Sequence, residues 1–274
     1  MLVLLATLVV AVLAPAFHYH QFGEPTRMAR DAGLSAFLLG GIVVAAFGTI
    51  RAFRREIESG TLSMALVHPV SRGGFFLAKA AGALAAYLVF AFVVLSVALT
   101  TVEGAAVGGA IAAQVGGLAR LWGPCLAAGV AVLMLPFVVG AALNRFAGCR
   151  FVLSAFAVAA LGAAVLFVWT LLRDAALVLR LLPAFVLIVL FTSVLLLAAA
   201  AFSVRFAANA SSSALGVFAV LLLPAVGNYY LSDALSAGGT IPWSYVGLAA
   251  LAVLPAVLFF VLLGIHLMDR RDIS

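Results

Sequence analysis

Long apolar segments separated by short polar ones run through the whole chain. An apolar run of about twenty residues can cross a bilayer as a helix, whereas the strands of a membrane barrel alternate polar and apolar residues. The runs here are continuous, so the pattern predicts an all-α, polytopic helical membrane protein with about eight transmembrane helices. We expect spans at about residues 2–17, 34–50, 83–101, 121–143, 151–172, 182–202, 214–231 and 245–268.

The first apolar run is the shortest. Leu2 to Phe17 covers about 24 Å as a helix, against a hydrocarbon core of ~30 Å. The sequence Ala14-Pro15-Ala16 resembles a signal-peptidase site. No Lys or Arg precedes the run, however, and a signal peptide needs a positively charged start. We therefore favour a retained first span over a signal peptide, and expect the natural chain to begin further upstream.

The segments between the predicted spans are mostly short and polar. We expect an outer loop at 18–32, a basic turn at 144–150 and a polar link at 173–180. Residues 103–120 are rich in glycine and alanine and only mildly apolar. This composition fits either an interfacial or a re-entrant piece.

Glycine and proline mark particular positions within the spans. Gly40 and Gly41 lie together in the second span, where the missing side chains permit another helix to approach closely. Pro136, Pro224 and Pro255 fall inside predicted spans and predict local kinks rather than breaks.

Composition supports a membrane location. Hydrophobic residues make up 67% of the chain and charged residues 9%, whereas a typical soluble domain has roughly 25% charged residues. So few polar side chains would not cover a soluble fold of 274 residues. The net charge of +6 is not gathered into a dense basic cluster with aromatic residues. We therefore predict the lipid bilayer as a partner and no nucleic acid.

The basic residues predict orientation, because cytoplasmic segments are enriched in Lys and Arg. With eight spans and an inner N-terminus, ten of the fifteen basic residues lie inside and five outside. We predict a multi-pass protein of the cell inner (cytoplasmic) membrane, with both termini and residues 51–82 in the cytoplasm. The inner ten are Arg51, Arg54, Arg55, Arg72, Lys79, Arg145, Arg150, Arg205, Arg270 and Arg271, and the outer five are Arg27, Arg30, Arg120, Arg173 and Arg180.

The ionisable residues weigh against several functions. All nine carboxylates fall in predicted loops or at span ends, whereas an ion-coupled carrier needs an ionisable group at membrane depth. Metalloprotease, serine-hydrolase and phosphate-loop motifs are absent, and the single lysine, Lys79, lies between two alanines. If ATP drives this protein, another subunit binds the nucleotide. We expect no cofactor or metal bound by this chain and no enzymatic activity of its own.

Three smaller polar groups allow more than one interpretation. His18 and His20 present two imidazoles, but a solvated loop is the simpler interpretation because no third metal ligand is near. The run from Asn228 to Tyr230 is either an interfacial aromatic anchor or a substrate contact. His266, near the end of the last span, is expected to extend its ring to the interface.

One polar stretch, residues 51–82, is longer than the others and holds five basic and two acidic residues. Ser59 to Thr61 offer helix N-cap chemistry, and Leu62 and Leu66 follow at helical spacing. Pro69 ends the helical pattern, since proline disfavours helix in the residue before it. The stretch predicts a short capped helix between two spans, with an ordinary amphipathic surface loop as the alternative.

The same stretch contains an acidic residue, a Gly-Thr pair, a Pro-x-Ser-Arg element and a Lys before a Gly. This ordered series resembles the signature of ABC transporter permeases of the ABC-two exporter type, where it lies between the second and third spans. The region 182–231 and the end from Asp269 to Ile273 are also similar to family features. The matching residues of the signature are Glu56, Ile57, Glu58, Ser59, Gly60, Thr61, Leu62, Pro69, Val70, Ser71, Arg72, Lys79 and Gly82.

The resemblance implies that residues from about Glu58 to His68 form a coupling helix that docks on a cytoplasmic ABC ATPase subunit. It also implies two permeases, identical or homologous, and two ATPases that bind ATP and Mg. Residues 1–274 would form a single transmembrane permease domain. Family members typically have six spans and an elbow helix before the first. We expect 121–172 as an extra hairpin, and no elbow helix is visible. The expected ATPase-coupling residues are Glu56, Glu58, Gly60, Thr61, Leu62, Leu66, Pro69, Ser71, Arg72 and Lys79.

These features together predict the permease subunit of an ATP-driven exporter, working as a permease dimer. The alternative is a membrane subunit that transmits ATPase motion to a periplasmic assembly without moving a solute. The scarcity of polar groups in the spans hints at a lipidic, hydrophobic or large amphipathic cargo.

Overall fold

The computed structural model describes residues 4, 6–7, 9–10, 25–59, 71–115, 134–148, 150–206 and 241–270. Across these residues the chain is helical, with no strand. In the described ranges from residue 25 onward, six helices follow one another, which we number α1 to α6. Helix α1 comprises α-helical Pro25–Val43, a π-helical turn Val44–Gly48 and α-helical Thr49–Glu58; the others are α2 Arg72–Val115, α3 Met134–Ala147, α4 Phe151–Arg173, α5 Ala175–Arg205 and α6 Trp243–Asp269.

Five of the helices are long and apolar enough to cross a membrane: α1, α2, α4, α5 and α6. Helices α4 and α6 begin and end within two residues of the predicted spans 151–172 and 245–268. Pro255 lies inside α6 without ending it, as expected, and Pro183 does the same in α5. The predicted span at 214–231 and most of the one at 2–17 lie outside the described residues, so the count of eight stays a prediction.

The polar segments are more helical than predicted. The supposed outer loop is helical from Pro25, and the link at 173–180 shrinks to Asp174 alone. Of the glycine- and alanine-rich stretch 103–120, residues 103–115 continue α2. The loop predicted over 25–32 and the link predicted over 173–180 were wrong because polar residues that extend an apolar helix keep its backbone hydrogen bonds, while their side chains reach the interface.

The predicted coupling loop 51–82 is also too wide. Residues 51–58 complete α1 and residues 72–82 begin α2. Ser59 was expected to begin a new helix, but its hydroxyl donates to the carbonyl oxygen of Glu56 at 3.3 Å. Its backbone N–H donates to the carbonyl oxygen of Arg55, so Ser59 closes the last turn of α1. The predicted helix itself, at about residues 60–68, lies outside the described residues.

The chain divides into two compact units, whose boundaries fall inside α1, α2 and α5. The first unit contains Met1–Gly40 and Val89–Leu182. Within it, Gly33 lies against Ala98, where an added Cβ would come within 3.0 Å of the alanine Cβ. The second unit contains Gly41–Leu88 and Pro183–Ser274.

Aromatic and small residues pack the first unit. The rings of Phe37 and Phe90 stack at 6.5 Å between centroids, and those of Phe92 and Phe167 meet at 5.6 Å. Helices α3 and α4 contact each other at Gly140, where an added Cβ would lie 2.9 Å from the Cβ of Ala155.

The turn from α3 to α4 includes Gly148. Its φ of 65° is a conformation that glycine adopts without strain. The predicted basic turn at 144–150 is therefore shorter than expected, because residues 144–147 still belong to α3.

The predicted role of Gly40 and Gly41 is confirmed. A Cβ on Gly40 would collide with the side chain of Thr7 in the first unit. In the second unit, a Cβ on Gly41 would lie 3.3 Å from the hydroxyl oxygen of Tyr87 and 3.4 Å from Cγ2 of Thr192. Small residues allow membrane helices to approach this closely.

Candidate coupling site

Three helix ends of the second unit meet and include described residues of the signature: the end of α1, the start of α2 and the end of α6. Phe53 on α1 and Phe76 on α2 are both buried, at 3% and 0% exposure. Their ring centroids lie 5.7 Å apart with the planes tilted by 50°. Aromatic pairs of this kind contribute about 0.5–1.5 kcal/mol beyond the area they bury. The pair fixes α1 against α2 about one turn inside the helix ends.

An ion pair joins the same two helices nearer the surface. The Nζ atom of Lys79 on α2 contacts Oε1 of Glu56 on α1. The two side chains are 26% and 35% exposed. A partly exposed pair of this kind contributes at most about 1 kcal/mol to stability. Its main structural effect is therefore to set the position of the end of α1 relative to α2.

The start of α2 is capped and held to α6. The backbone N–H of Gly74 donates to the hydroxyl oxygen of Ser71 at 3.1 Å, which satisfies one of the free donors of the first turn. Next to it, Nη1 of Arg72 donates to the backbone carbonyl oxygen of Asp269 at 3.1 Å. The last carbonyls of a helix have no partner inside the helix, so a guanidinium there satisfies one and complements the helix dipole.

Glycines allow α2 and α6 to approach at this point. A Cβ on Gly73 would lie 3.1 Å from Cγ2 of Ile265. A Cβ on Gly264 would overlap the ring of Phe76, which is fully buried. The bare backbone of Gly264 thus forms the surface on which the Phe76 ring rests.

We call this set of contacts the helix-end clamp. It joins α1 to α2 through an aromatic pair and an ion pair, and α2 to α6 through a glycine contact and an arginine bond. Its members are Phe53, Glu56, Arg72, Phe76, Lys79, Gly264 and Asp269.

The structure brings some of the predicted site residues together and not others. Glu56 and Lys79, 23 residues apart in the chain, are in direct contact. Glu58 instead pairs within its own helix, with Nη2 of Arg54 3.3 Å from its Oε1. Ser71 and Arg72 lie at the start of α2. The remaining predicted residues lie outside the described part of the chain; they are Gly60, Thr61, Leu62, Leu66 and Pro69.

Sequence reasoning did not assign Phe53, Phe76, Gly264 or Asp269 to this site. A glycine in the leucine- and phenylalanine-rich last span was a usable signal, because an isolated glycine in an apolar helix often marks close packing. The carbonyl of Asp269 carried no signal, since a backbone acceptor is the same at every residue.

A second polar contact lies deeper in the same unit. The hydroxyls of Tyr87 on α2 and Thr192 on α5 are hydrogen-bonded, and both residues are at most 1% exposed. Thr192 donates to the carbonyl oxygen of Ile188 at 2.6 Å, one turn earlier in α5, so its hydroxyl accepts from Tyr87. Both hydroxyls are therefore satisfied where water is excluded, as buried polar groups require.

The first unit carries its own ion pair, between α2 and α4. Nη1 of Arg173 lies 3.4 Å from Oε1 of Glu103, and its guanidinium lies 4.8 Å from the ring centroid of Trp169. In the described ranges, no Asp, Glu, Lys, Arg or His occupies the middle of a membrane-length helix. Nor does that part of the chain hold three His, Cys, Asp or Glu side chains close enough to bind a metal ion.

Comparison with known protein families identifies the relatives of this chain. Residues 1–148, more than half of the 274, match the family described as ABC-2 family transporter protein. The matched part includes the whole signature from Glu56 to Gly82. Neither the curated proteins nor the solved structures contain a significant match to the chain.

The family and the helices agree. ABC-2 membrane proteins are transport subunits that act with an ATPase subunit of an ABC transporter. Five membrane-length apolar helices fit that role. The chain is therefore a multi-pass membrane protein that belongs to the ABC-2 transporter family.

Proposed function

We propose that this chain is the permease subunit of an ATP-driven exporter, and that the ATPase acts on it through residues 60–70. The helix-end clamp is the observation that supports this most directly. Residues 60–70 connect α1 to α2, and the clamp ties the adjoining ends of both helices to each other and to α6. A force on the connection would therefore move three helices together rather than bend one.

The assembly we propose has two permeases, identical or homologous, and two cytoplasmic ATPases that bind ATP and Mg. The permeases lie in the cytoplasmic membrane with both termini in the cytoplasm, in keeping with the ten-to-five distribution of basic residues. Glu58, Gly60, Thr61, Leu62, Leu66 and Pro69 are the proposed docking residues. Glu56, Ser71, Arg72 and Lys79 carry the force from the docking segment into the helices.

Charge reversal tests this division of roles. The permease is reconstituted in vesicles with the ATPase that co-purifies with it, and the stimulation of ATP hydrolysis by the permease is measured. We expect Glu56→Lys or Lys79→Glu to lower the stimulation several-fold, because each places like charges opposite each other. The double exchange E56K/K79E should recover most of it, since it restores the ion pair. The pair contributes at most about 1 kcal/mol, so the fold should survive all three changes.

Glu58 provides the matched comparison. Its partner Arg54 lies on the same helix, so reversing Glu58 leaves the clamp intact. If Glu58 contacts the ATPase, Glu58→Lys should lower the stimulation and R54E/E58K should not restore it. Deletion of residues 60–68 should abolish the stimulation. Unchanged stimulation in the deletion and in all reversals would contradict the proposal.

Flux separates transport from purely mechanical coupling. The described spans have no charged residue near the middle of the membrane. This is compatible with an apolar cargo, and equally with a subunit that moves no solute. The exporter proposal predicts ATP-dependent loading of labelled lipidic or amphipathic compounds into inverted vesicles. Stimulated ATP hydrolysis with no flux of any cargo would favour the alternative, a subunit that transmits motion to a periplasmic assembly.

A further inference from the structure

Helix α1 has an exposed stripe that changes character along its length. Within the second unit, exposed residues recur every four positions: Val43, Phe47, Arg51 and Arg55. The first two are apolar, with Phe47 48% exposed, and the last two are basic. We call these four residues the α1 stripe.

The π-helical turn keeps the four residues of the α1 stripe on one face. In an uninterrupted α-helix, the twelve positions from Val43 to Arg55 would turn the last side chain about 120° away from the first. The turn Val44–Gly48 has π-helical hydrogen bonds. Because such a turn holds about one extra residue, the net rotation falls to about 20° from three full turns. The apolar and basic halves therefore form one continuous surface.

The opposite face of α1 is buried throughout the same length. Ala45, Ala46, Thr49, Ile50 and Phe53 are all at most 5% exposed. The α1 stripe is thus the outward face of a helix whose other side is fully packed. Outward apolar residues on a membrane-length helix are suited to contact with acyl chains.

The two arginines of the α1 stripe are exposed. Within the described residues, Arg51 and Arg55 form no ion pair, whereas the neighbouring Arg54 is paired with Glu58. Two exposed guanidinium groups one turn apart match a phosphate, which the planar fork of arginine binds with paired hydrogen bonds.

We propose that the α1 stripe binds an anionic phospholipid. Arg51 and Arg55 hold the phosphate, and an acyl chain lies along Phe47 and Val43. The distance suits a single leaflet, since Val43 to Arg51 rises about 12 Å, within half of a ~30 Å hydrocarbon core. Basic residues at the end of a membrane helix attract anionic lipids at about the headgroup level. The proposal does not depend on the function proposed above, because it concerns lipid contact and not coupling.

The test uses the intact protein in bilayer nanodiscs of phosphatidylcholine with added phosphatidylglycerol. Native mass spectrometry then measures how much phosphatidylglycerol stays bound relative to phosphatidylcholine. We expect R51Q/R55Q to lower the preference for phosphatidylglycerol by about tenfold or more. R51K/R55K should retain part of the preference, because the charge remains and the paired hydrogen bonds are lost.

The matched control is R205Q/R270Q. Arg205 and Arg270 are exposed arginines at the ends of α5 and α6 in the same unit, so the control removes the same charge. We expect it to leave the preference close to that of the native protein. Size-exclusion elution shows whether each variant remains folded. We expect all of them to fold, because the four substituted arginines are exposed.

Four outcomes would overturn the proposal. Equal losses in the two double variants would mean that the preference reflects general positive charge and not the α1 stripe. No loss in R51Q/R55Q would mean that the lipid binds elsewhere. If R51Q/R55Q keeps the lipid preference but no longer co-purifies with the ATPase, the α1 stripe contacts the ATPase. If it keeps the lipid preference but changes from dimer to monomer, the α1 stripe contacts a second copy of the chain.

Discussion

Helices α5 and α6 are equally hydropathic, yet they have opposite surroundings. In α5, 72% of the most apolar stretch is buried inside the protein; in α6, the corresponding share is 11%. Hydropathy measures only the preference of a side chain for an apolar medium. Protein interior and lipid both satisfy that preference, so hydropathy does not decide between them.

Side-chain size separates the two helices where hydropathy does not. The buried part of α5 includes four consecutive alanines, residues 198–201, each fully buried. Its hydroxyls are satisfied within the helix, as when Ser193 donates to the carbonyl oxygen of Val189 at 2.6 Å. The exposed residues of α6 are mostly large and apolar: Leu248, Leu251, Leu254, Leu258, Phe259 and Leu262. Small residues permit close packing of helices, and large ones fill lipid-facing surface.

The few buried positions of α6 are concentrated near its end. Phe260, Gly264 and Met268 follow one another at intervals of four residues, and all three are buried. Phe260 is 8% exposed and Met268 is 2% exposed. The ring of Phe260 meets that of Phe202 at 6.1 Å. Helix α6 is therefore held mainly by its last three turns, which include the residues of the helix-end clamp.

The largest effect should come from adding an aromatic ring to α5. Ala199→Phe inserts a large side chain where the alanine is fully buried. Overpacking of a tight core costs about 1–3 kcal/mol and occasionally more. We expect Ala199→Phe to lower the unfolding temperature in detergent by several degrees or to abolish folded yield.

The same substitution at Ala252, which is exposed on α6, is the control. We expect Ala252→Phe to change the unfolding temperature little, because lipid or detergent accommodates the ring. Equal destabilisation by the two substitutions would break the distinction between the helices.

A smaller effect should distinguish two glycines within α6. Gly264→Ala places a methyl group against the fully buried ring of Phe76, so we expect a loss of about 1–3 kcal/mol in stability. Gly247 has no atom within 4 Å of an added Cβ. Gly247→Ala should therefore be neutral or stabilising by up to about 1 kcal/mol, through higher helix propensity.

A substitution of Phe76, the residue that Gly264 contacts, sharpens this prediction. A smaller side chain in F76L should recover part of the stability that Gly264→Ala loses, because the two groups compete for one space. Thermal unfolding of the two single variants and the double variant measures the coupling. Additive losses would show that Gly264 matters for some reason other than contact with Phe76.

The smallest effect should come from the hydrogen bond that ties α5 to α2. Tyr87→Phe and Thr192→Val each remove one hydroxyl from the buried pair. Interhelical hydrogen bonds in membranes average about 0.6 kcal/mol, with a maximum near 1.7. We expect a coupling energy in that range from a double-mutant cycle of unfolding measurements. A coupling energy near zero would mean that packing, and not this bond, holds α5 in place.

The sequence predicted the class of the fold and the position of several spans. Helices α4 and α6 needed only the length of their apolar runs and the turn-forming residues around them. Helix ends were harder to predict, as at Pro25 and Asp174, because polar residues in a membrane protein extend a helix as readily as they end it. The predicted coupling helix stays a prediction, since it lies outside the described residues.

For the candidate site, the signature predicted which residues matter but not which of them touch. Glu56 and Lys79 were both identified from the order of residues, whereas their contact depends on how α1 and α2 pack. The π-helical turn could not be foreseen either, because no residue type in Val44–Gly48 demands it.

By itself, the sequence determined that this is a multi-pass helical membrane protein of the ABC-2 family, because apolar run length and an ordered motif are local properties of the chain. Only the tertiary structure decided that α5 is buried and α6 exposed. It also decided that Phe76 rests on Gly264 and that the α1 stripe forms one face. The physical reason is that helix packing depends on shape and close contact between distant residues, which a hydropathy pattern does not record.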